Sequence, residues 1–207
     1  MSQVPVPSAP AAVSRRKGIE FGGRQIAIIV LSTALDAIMN WFSAAFQVVP
    51  GASLIFPATA IAVTFSLWFG VWGALGAYFG TILGGFAWGT TILVSATGGI
   101  HDMIEGLIPL LVFHLFGFHP SLKRFRDLAG FIVFGVVLNT FTNALLGNLN
   151  YVLWGTQPLS AVWVGVWPWW LGDMVAAAVL AIPLLRFLTP YVMRTGLYHE
   201  GMLRRRV

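Results

Sequence analysis

The sequence contains no cysteine. Disulfides, thiolate metal sites and cysteine nucleophiles are therefore excluded. Charge is also scarce: Asp, Glu, Lys and Arg make up 9% of residues, where soluble chains average about 25%. No phosphate-binding loop, nucleophile elbow or kinase signature occurs. No hydrophilic stretch is long enough for a second domain. The net charge is +5, but the basic residues sit in short clusters beside apolar segments and form no continuous nucleic-acid surface. No nucleic-acid partner, no cofactor and no enzymatic activity are expected.

Hydrophobic residues make up 57% of the chain, and the mean hydropathy is +0.82. These values describe an integral, multi-pass protein of the cell's inner (plasma) membrane, an all-α bundle of about six transmembrane helices. Residues 1–24 read as a disordered basic cytoplasmic tail, 25–188 as the transmembrane helical domain, and 189–207 as a second basic cytoplasmic tail. The stretch Ser43-Ala44-Ala45 resembles a signal-peptide cleavage site, but the long leader and the polar Asp36 and Asn40 inside the run argue against cleavage. The expected spans are 25–46, two short ones within 55–87, then 99–117, 128–148 and 163–188.

The 55–87 run decides the topology. As one helix it would extend roughly 50 Å, against a membrane core of about 30 Å. Gly70-Val71-Trp72-Gly73 is the expected tight turn. With two spans here, all 12 Lys and Arg residues fall on one side. These are Arg15, Arg16, Lys17, Arg24, Lys123, Arg124, Arg126, Arg186, Arg194, Arg204, Arg205 and Arg206. The positive-inside rule then places both termini in the cytoplasm. Arg204–Arg206 serve as a topological stop, with anionic lipid as the secondary reading. Gly76, Gly80 and Gly84 recur every fourth residue and share a face that admits a close helix neighbour. Pro50, Gly51 and Pro57 break the chain outside, and Asn148, Asn150, Tyr151 and Trp154 belong to an expected outer loop.

Trp167-Pro168-Trp169-Trp170-Leu171-Gly172-Asp173 is the densest chemical signal. Tryptophan favours the membrane interface, and Asp173 then falls a turn deeper. An intramembrane carboxylate is costly and is a functional-site hypothesis by default. Asp36 and Asn40, His101 and Glu105, Asn139 and Asn143, and Trp169 and Asp173 are each four apart. Each pair therefore shares a helix face. No Lys or Arg lies at their depth to neutralise Asp36, Asp102, Glu105 or Asp173. Such carboxylates must be protonated, hydrated or paired with something bound. The expected ligand-binding residues are Asp173, Glu105, Asp102, His101, Asn139, Asn143, Trp169, Trp170 and Asp36, around an outward-open cavity. The opposing reading is interhelical hydrogen bonding alone. It accounts for the asparagines better than for the acids.

Two sharper readings are rejected. His101, Asp102 and Glu105 have metal-ligating side chains, but one helical turn rarely supplies a full site and no further histidines complete it; His114, His119 and His199 read as structural. Asp36 and Asp173 invite comparison with intramembrane aspartyl proteases. Those carry Gly-x-Gly-Asp, whereas this chain reads Trp170-Leu171-Gly172-Asp173.

Three stretches resemble the type-one membrane-associated sensor (MASE) domains. They are Phe56-Pro57-Ala58-Thr59-Ala60-Ile61-Ala62; Glu105-Gly106-Leu107 through the basic loop to Asp127; and Trp169-Trp170-Leu171-Gly172-Asp173 with the following Ala/Val run and Pro183-Leu184-Leu185. Phe56 stands in place of the family's Trp, and Asp102 in place of its usual Asn. The resemblance implies a membrane-embedded sensory module with Glu105 and Asp173 at shared positions. An effector such as a cyclase or kinase is then expected on a partner chain. The helix number, the outward cavity and the glycine faces are also similar in architecture to the substrate-binding S subunits of energy-coupling-factor transporters, which need energising subunits as partners. A structural subunit of a membrane complex is the third class. The lipid bilayer is a partner in every case.

Overall fold

The structure, a computed structural model, describes residues 21–49 and 51–198. The expectations for the N-terminal tail up to residue 20, for Pro50, for His199 and for Arg204–Arg206 lie outside these residues. The described residues form six helices and one short hairpin. Helix α1 covers Gly23–Ala44. The hairpin strands β1 and β2 cover Gln47–Val49 and Ala52–Ser53. Helices α2 and α3 cover Ala58–Phe69 and Val71–Gly84, and α4 covers Ile92–Phe116. Helices α5 and α6 are Phe125–Leu153 and Leu159–Val192.

The class is all-α, and α1, α4, α5 and α6 are each long and apolar enough to cross a membrane. Their outer faces support this. Helix α1 buries Ile28, Ser32, Asp36, Asn40 and Ser43, while Val30, Leu31, Ile38 and Trp41 face outward. A small and polar stripe inside with apolar residues outside reverses the pattern of a soluble helix. Helix α2 spans only about 18 Å at 1.5 Å per residue. It is the central helix, with every residue except Ile61 buried.

Gly70 alone makes the turn between α2 and α3, with φ of 67°, where a side chain would be strained. Helix α1 is the neighbour that lies on the glycine face of α3. A Cβ on Gly76, Gly80 or Gly84 would meet Ser32, Asp36 or Asn40, respectively. Both series advance together, so α1 and α3 run parallel, with α2 returning between them. Trp41 Nε1 donates to the Leu83 carbonyl at 3.1 Å along the same seam. At one end of the bundle, Trp68 Nε1 donates to Thr189 Oγ1 at 2.9 Å, and the Phe21 and Trp72 rings lie 5.5 Å apart. At the other end, Trp154 Nε1 donates to Thr97 Oγ1 at 2.8 Å. The helices therefore alternate in direction. Arg24, Lys123, Arg124, Arg126, Arg186 and Arg194 lie on elements that meet at the Gly70 end.

Helix α4 starts earlier than the expected 99–117, because Thr91 caps it by accepting the Val94 N–H at 3.4 Å. Helix α5 extends beyond the expected 128–148 and absorbs much of the expected outer loop. The amides of that stretch find partners inside the bundle instead of water: Asn148 Nδ2 donates to the Ala144 carbonyl at 2.9 Å and Asn150 Nδ2 to the Val94 carbonyl at 3.0 Å. Helix α6 likewise exceeds 163–188 at both ends.

The hairpin is more than an external break. Gly51 takes φ of 78° and lies against the Tyr151 ring. Ser53 is buried, and its Oγ accepts the Ile55 N–H at 3.1 Å. The Ser53 carbonyl packs on Gly172, where a Cβ would collide with it. The hairpin is thus tucked into the bundle at the level of Asp173.

Candidate functional site

Helix α4 carries the centre of the site. His101 Nδ1 lies 2.7 Å from Asn143 Oδ1 on α5 and 3.2 Å from Asp102 Oδ1. An amide oxygen only accepts, so Nδ1 carries the proton. On a neutral ring that leaves the Nε2 lone pair free, near Gly98 and the Asn150 amide. Asp102 Oδ2 accepts from Thr81 Oγ1 of α3 at 2.5 Å. One turn of α4 therefore ties α3 and α5 together through side chains alone.

Beside this turn is a cavity of about 50 Å³. A water needs about 10–15 Å³ on this measure, so the space holds a few waters or one small ligand. Its polar lining includes His101, Asp102, Asn40, Thr81, Asn150 and Tyr151. Its aromatic lining includes Phe56, Trp88 and Trp169, and Gly51 of the hairpin also lines it. The His101 and Trp169 rings meet edge-on at 5.9 Å. This wall presents a carboxylate and aromatic faces, and every described Arg and Lys belongs to the opposite end.

The other expected residues stand behind the wall. Glu105 is buried, and its Oε2 accepts from Thr59 Oγ1 at 3.4 Å. Asp173 has no solvent exposure and lies beside Thr59, Asn143 and Trp169. Neither of its oxygens closes a hydrogen bond with favourable geometry. Asn139 is equally buried, and neither end of its amide has a partner. Pro109 has no N–H to give the Glu105 carbonyl, so α4 is open at this level too. Asp36 sits on the α1–α3 seam, accepting from Asn40 Nδ2 at 3.0 Å. Glu105 lies within electrostatic reach of Asp173, Asp102 and Asp36.

The structure thus brings Asp102, His101 and Trp169 to the cavity and Asn143 to its support. It packs Glu105, Asp173 and Asn139 beneath, and gives Asp36 to a seam. Trp170 faces away from the cavity: its Nε1 donates to the Val137 carbonyl at 3.1 Å, and its ring meets Phe141. Among the described residues, no group of three His, Asp or Glu is arranged to hold a metal ion.

Sequence reasoning missed Thr81, Thr59 and Trp88. Thr81 and Thr59 are ordinary in helices, and only the helix pairing places them on carboxylates. Tyr151 carried a signal, as a lone tyrosine near two asparagines, but its expected loop position hid it. No known protein family, curated protein or solved structure matches the chain.

Proposed function

We propose that this chain is an integral membrane module that binds a small ligand and acts in sensing, as the resemblance to MASE domains implies. The observation that carries the reading is Asp102, a carboxylate on an aromatic-lined cavity with no Lys or Arg near it and His101 as its one basic neighbour, 3.2 Å away. An anion would meet repulsion there. A small organic cation would gain both the carboxylate and the ring faces. Asp102 is then the anionic anchor, His101 Nε2 a second acceptor, and Asp173 and Glu105 the acidic ground beneath. The role is binding, not catalysis.

The topology belongs to the same proposal: about six spans, both termini cytoplasmic, and the hairpin end outside. Reporter fusions after residues 92 and 155 then read external and one after 122 internal. A cytoplasmic reading at 92 would remove the outward cavity.

The loop-capped cavity suits an S subunit of an energy-coupling-factor type transporter as a second reading. Co-purification with mass spectrometry separates the two. Recovery of a kinase or cyclase supports sensing, and nucleotide-binding subunits support uptake. A large stable complex with neither supports a structural role and sinks both.

A further inference from the structure

A second cavity lies at the opposite end of the bundle and has nothing to do with the first. It measures about 530 Å³, against about 50 Å³ for the Asp102 cavity. Its lining is Lys123 from the α4–α5 loop, and Arg186, Phe187, Pro190, Tyr191 and Arg194 from the end of α6. The three cations share one concavity with no acidic residue in the lining. Asp127, in the first turn of α5, is buried outside the lining. Among the described residues, no ion pair or side-chain hydrogen bond closes on Lys123, Arg186 or Arg194.

A structural explanation covers only part of this. A cation near a helix C-terminus complements the helix dipole, which suits Arg194. Arg186 is more than a turn inside α6, and Lys123 comes from another segment, so the dipole draws neither of them together. Three like charges around one hollow repel one another unless an anion fills it. The surroundings define that anion. Phe187 and Tyr191 are each 66% exposed, on a helix apolar enough to span a membrane. Their outward rings belong in the acyl region or at its boundary, where tyrosine is favoured. Arg186 and Arg194, eight residues apart with Pro190 between, line the same hollow. Guanidinium forks match phosphate oxygens in pairs, Lys123 adds a point charge, and the Tyr191 hydroxyl is a further donor.

We infer that this pocket binds the phosphate headgroup of an anionic phospholipid, held by Lys123, Arg186 and Arg194 with its chains along Phe187 and Tyr191. Basic pockets of this kind at the ends of transmembrane helices are suited to anionic headgroups. The site is independent of the ligand cavity, so either can fail without the other.

The test uses the full chain in phosphatidylcholine nanodiscs with and without phosphatidylglycerol. Native mass spectrometry counts lipids retained on release. Each neutralised cation should weaken retention about fivefold, so Arg186→Gln with Arg194→Gln should lose most bound phosphatidylglycerol, and Lys123→Gln alone a smaller share. Arg124→Gln, on the same loop but outside the lining, should lose none. These side chains are exposed, and circular dichroism checks that each variant remains helical. If Arg124→Gln releases as much lipid as the double variant, the attraction is diffuse and the site is overturned. If inorganic phosphate displaces the lipid fully at equal concentration, the pocket is a free-phosphate site and the lipid assignment fails.

Discussion

The two ends of the bundle are built on opposite principles. At the Gly70 end the interior is close-packed hydrocarbon and aromatic: Leu67, Phe113, Leu122, Phe131 and Leu185 are nearly or wholly without exposure, and the Phe113 ring meets those of Phe118 and Phe131. At mid-bundle and toward the hairpin end the buried residues are Asp36, Asn40, Ser53, His101, Asp102, Glu105, Asn139, Asn143 and Asp173. Orphaned polar atoms gather there: Glu105 Oε1, both oxygens of Asp173, both amide atoms of Asn139, Asn143 Nδ2 and Trp169 Nε1. Ser32 Oγ, Trp72 Nε1, His114 Nδ1 and the Asp127 oxygens are exceptions elsewhere. Each buried unsatisfied group costs about 1–3 kcal/mol. The dense end offsets a polar end that is poorly optimised for stability, a pattern in keeping with the proposed binding role.

Separating these roles gives the largest predicted effect. Phe113→Ala leaves a cavity in the dense end and should lower stability by about 3–5 kcal/mol, read by thermal unfolding in detergent. Ligand affinity of the surviving folded protein should not change. A parallel loss of affinity would show that the ends are coupled.

The next effect lies on the seam that joins them. Gly80→Ala places a Cβ against Asp36, and overpacking of this kind costs about 1–3 kcal/mol. The same change at Gly89, where nothing lies within 4 Å but φ is 69°, should cost about 1 kcal/mol or less, from backbone strain alone. Equal melting shifts would mean that α1 does not press on α3.

The smallest effect is at the basic end. His119 Nδ1 accepts the Ser121 N–H at 3.2 Å and lies 2.7 Å from Ser121 Oγ, so this loop needs the neutral ring. Partial burial holds the imidazole below its ordinary range, with Arg124 and Lys123 pushing the same way against Asp127. A base depressed in the folded state binds fewer protons than in the unfolded chain. Its contribution is complete above the unfolded value of about 6.5 and is lost as pH falls below it. The ring is partly solvated, so the loss should be slight. His119→Asn, whose Oδ1 takes the place of Nδ1, should flatten melting temperature across that window. An unchanged slope would assign the dependence to other groups.

These differences also explain what was legible beforehand. The helix number, the Gly70 turn and the glycine face of α3 follow from hydrophobic run lengths and a four-residue spacing, both properties of single segments. The resemblance to sensor domains singled out Glu105 and Asp173. Spacing alone gave their shared depth, but not that Trp169 and Asn143 would stand beside Asp173 and leave Asp102 at the cavity. That ordering depends on helix rotation, which is set by neighbours and not by periodicity. The hairpin was invisible for another reason. The run 47–53 is too short and irregular to carry a strand signal, and the packing of the Ser53 carbonyl comes from Gly172 on a distant helix.

On the proposed function, the hairpin end binds a small cation through Asp102. Isothermal titration of the full chain with tetramethylammonium and methylammonium, against acetate as the matched anion, tests it most directly. The expected result is saturable binding of at least one ammonium, no binding of acetate, and a loss of about tenfold or more in Asp102→Asn, because that change strips the charge partner from a desolvated pair. Equal affinity of wild type and Asp102→Asn for every ammonium, or tighter binding of acetate, would contradict it.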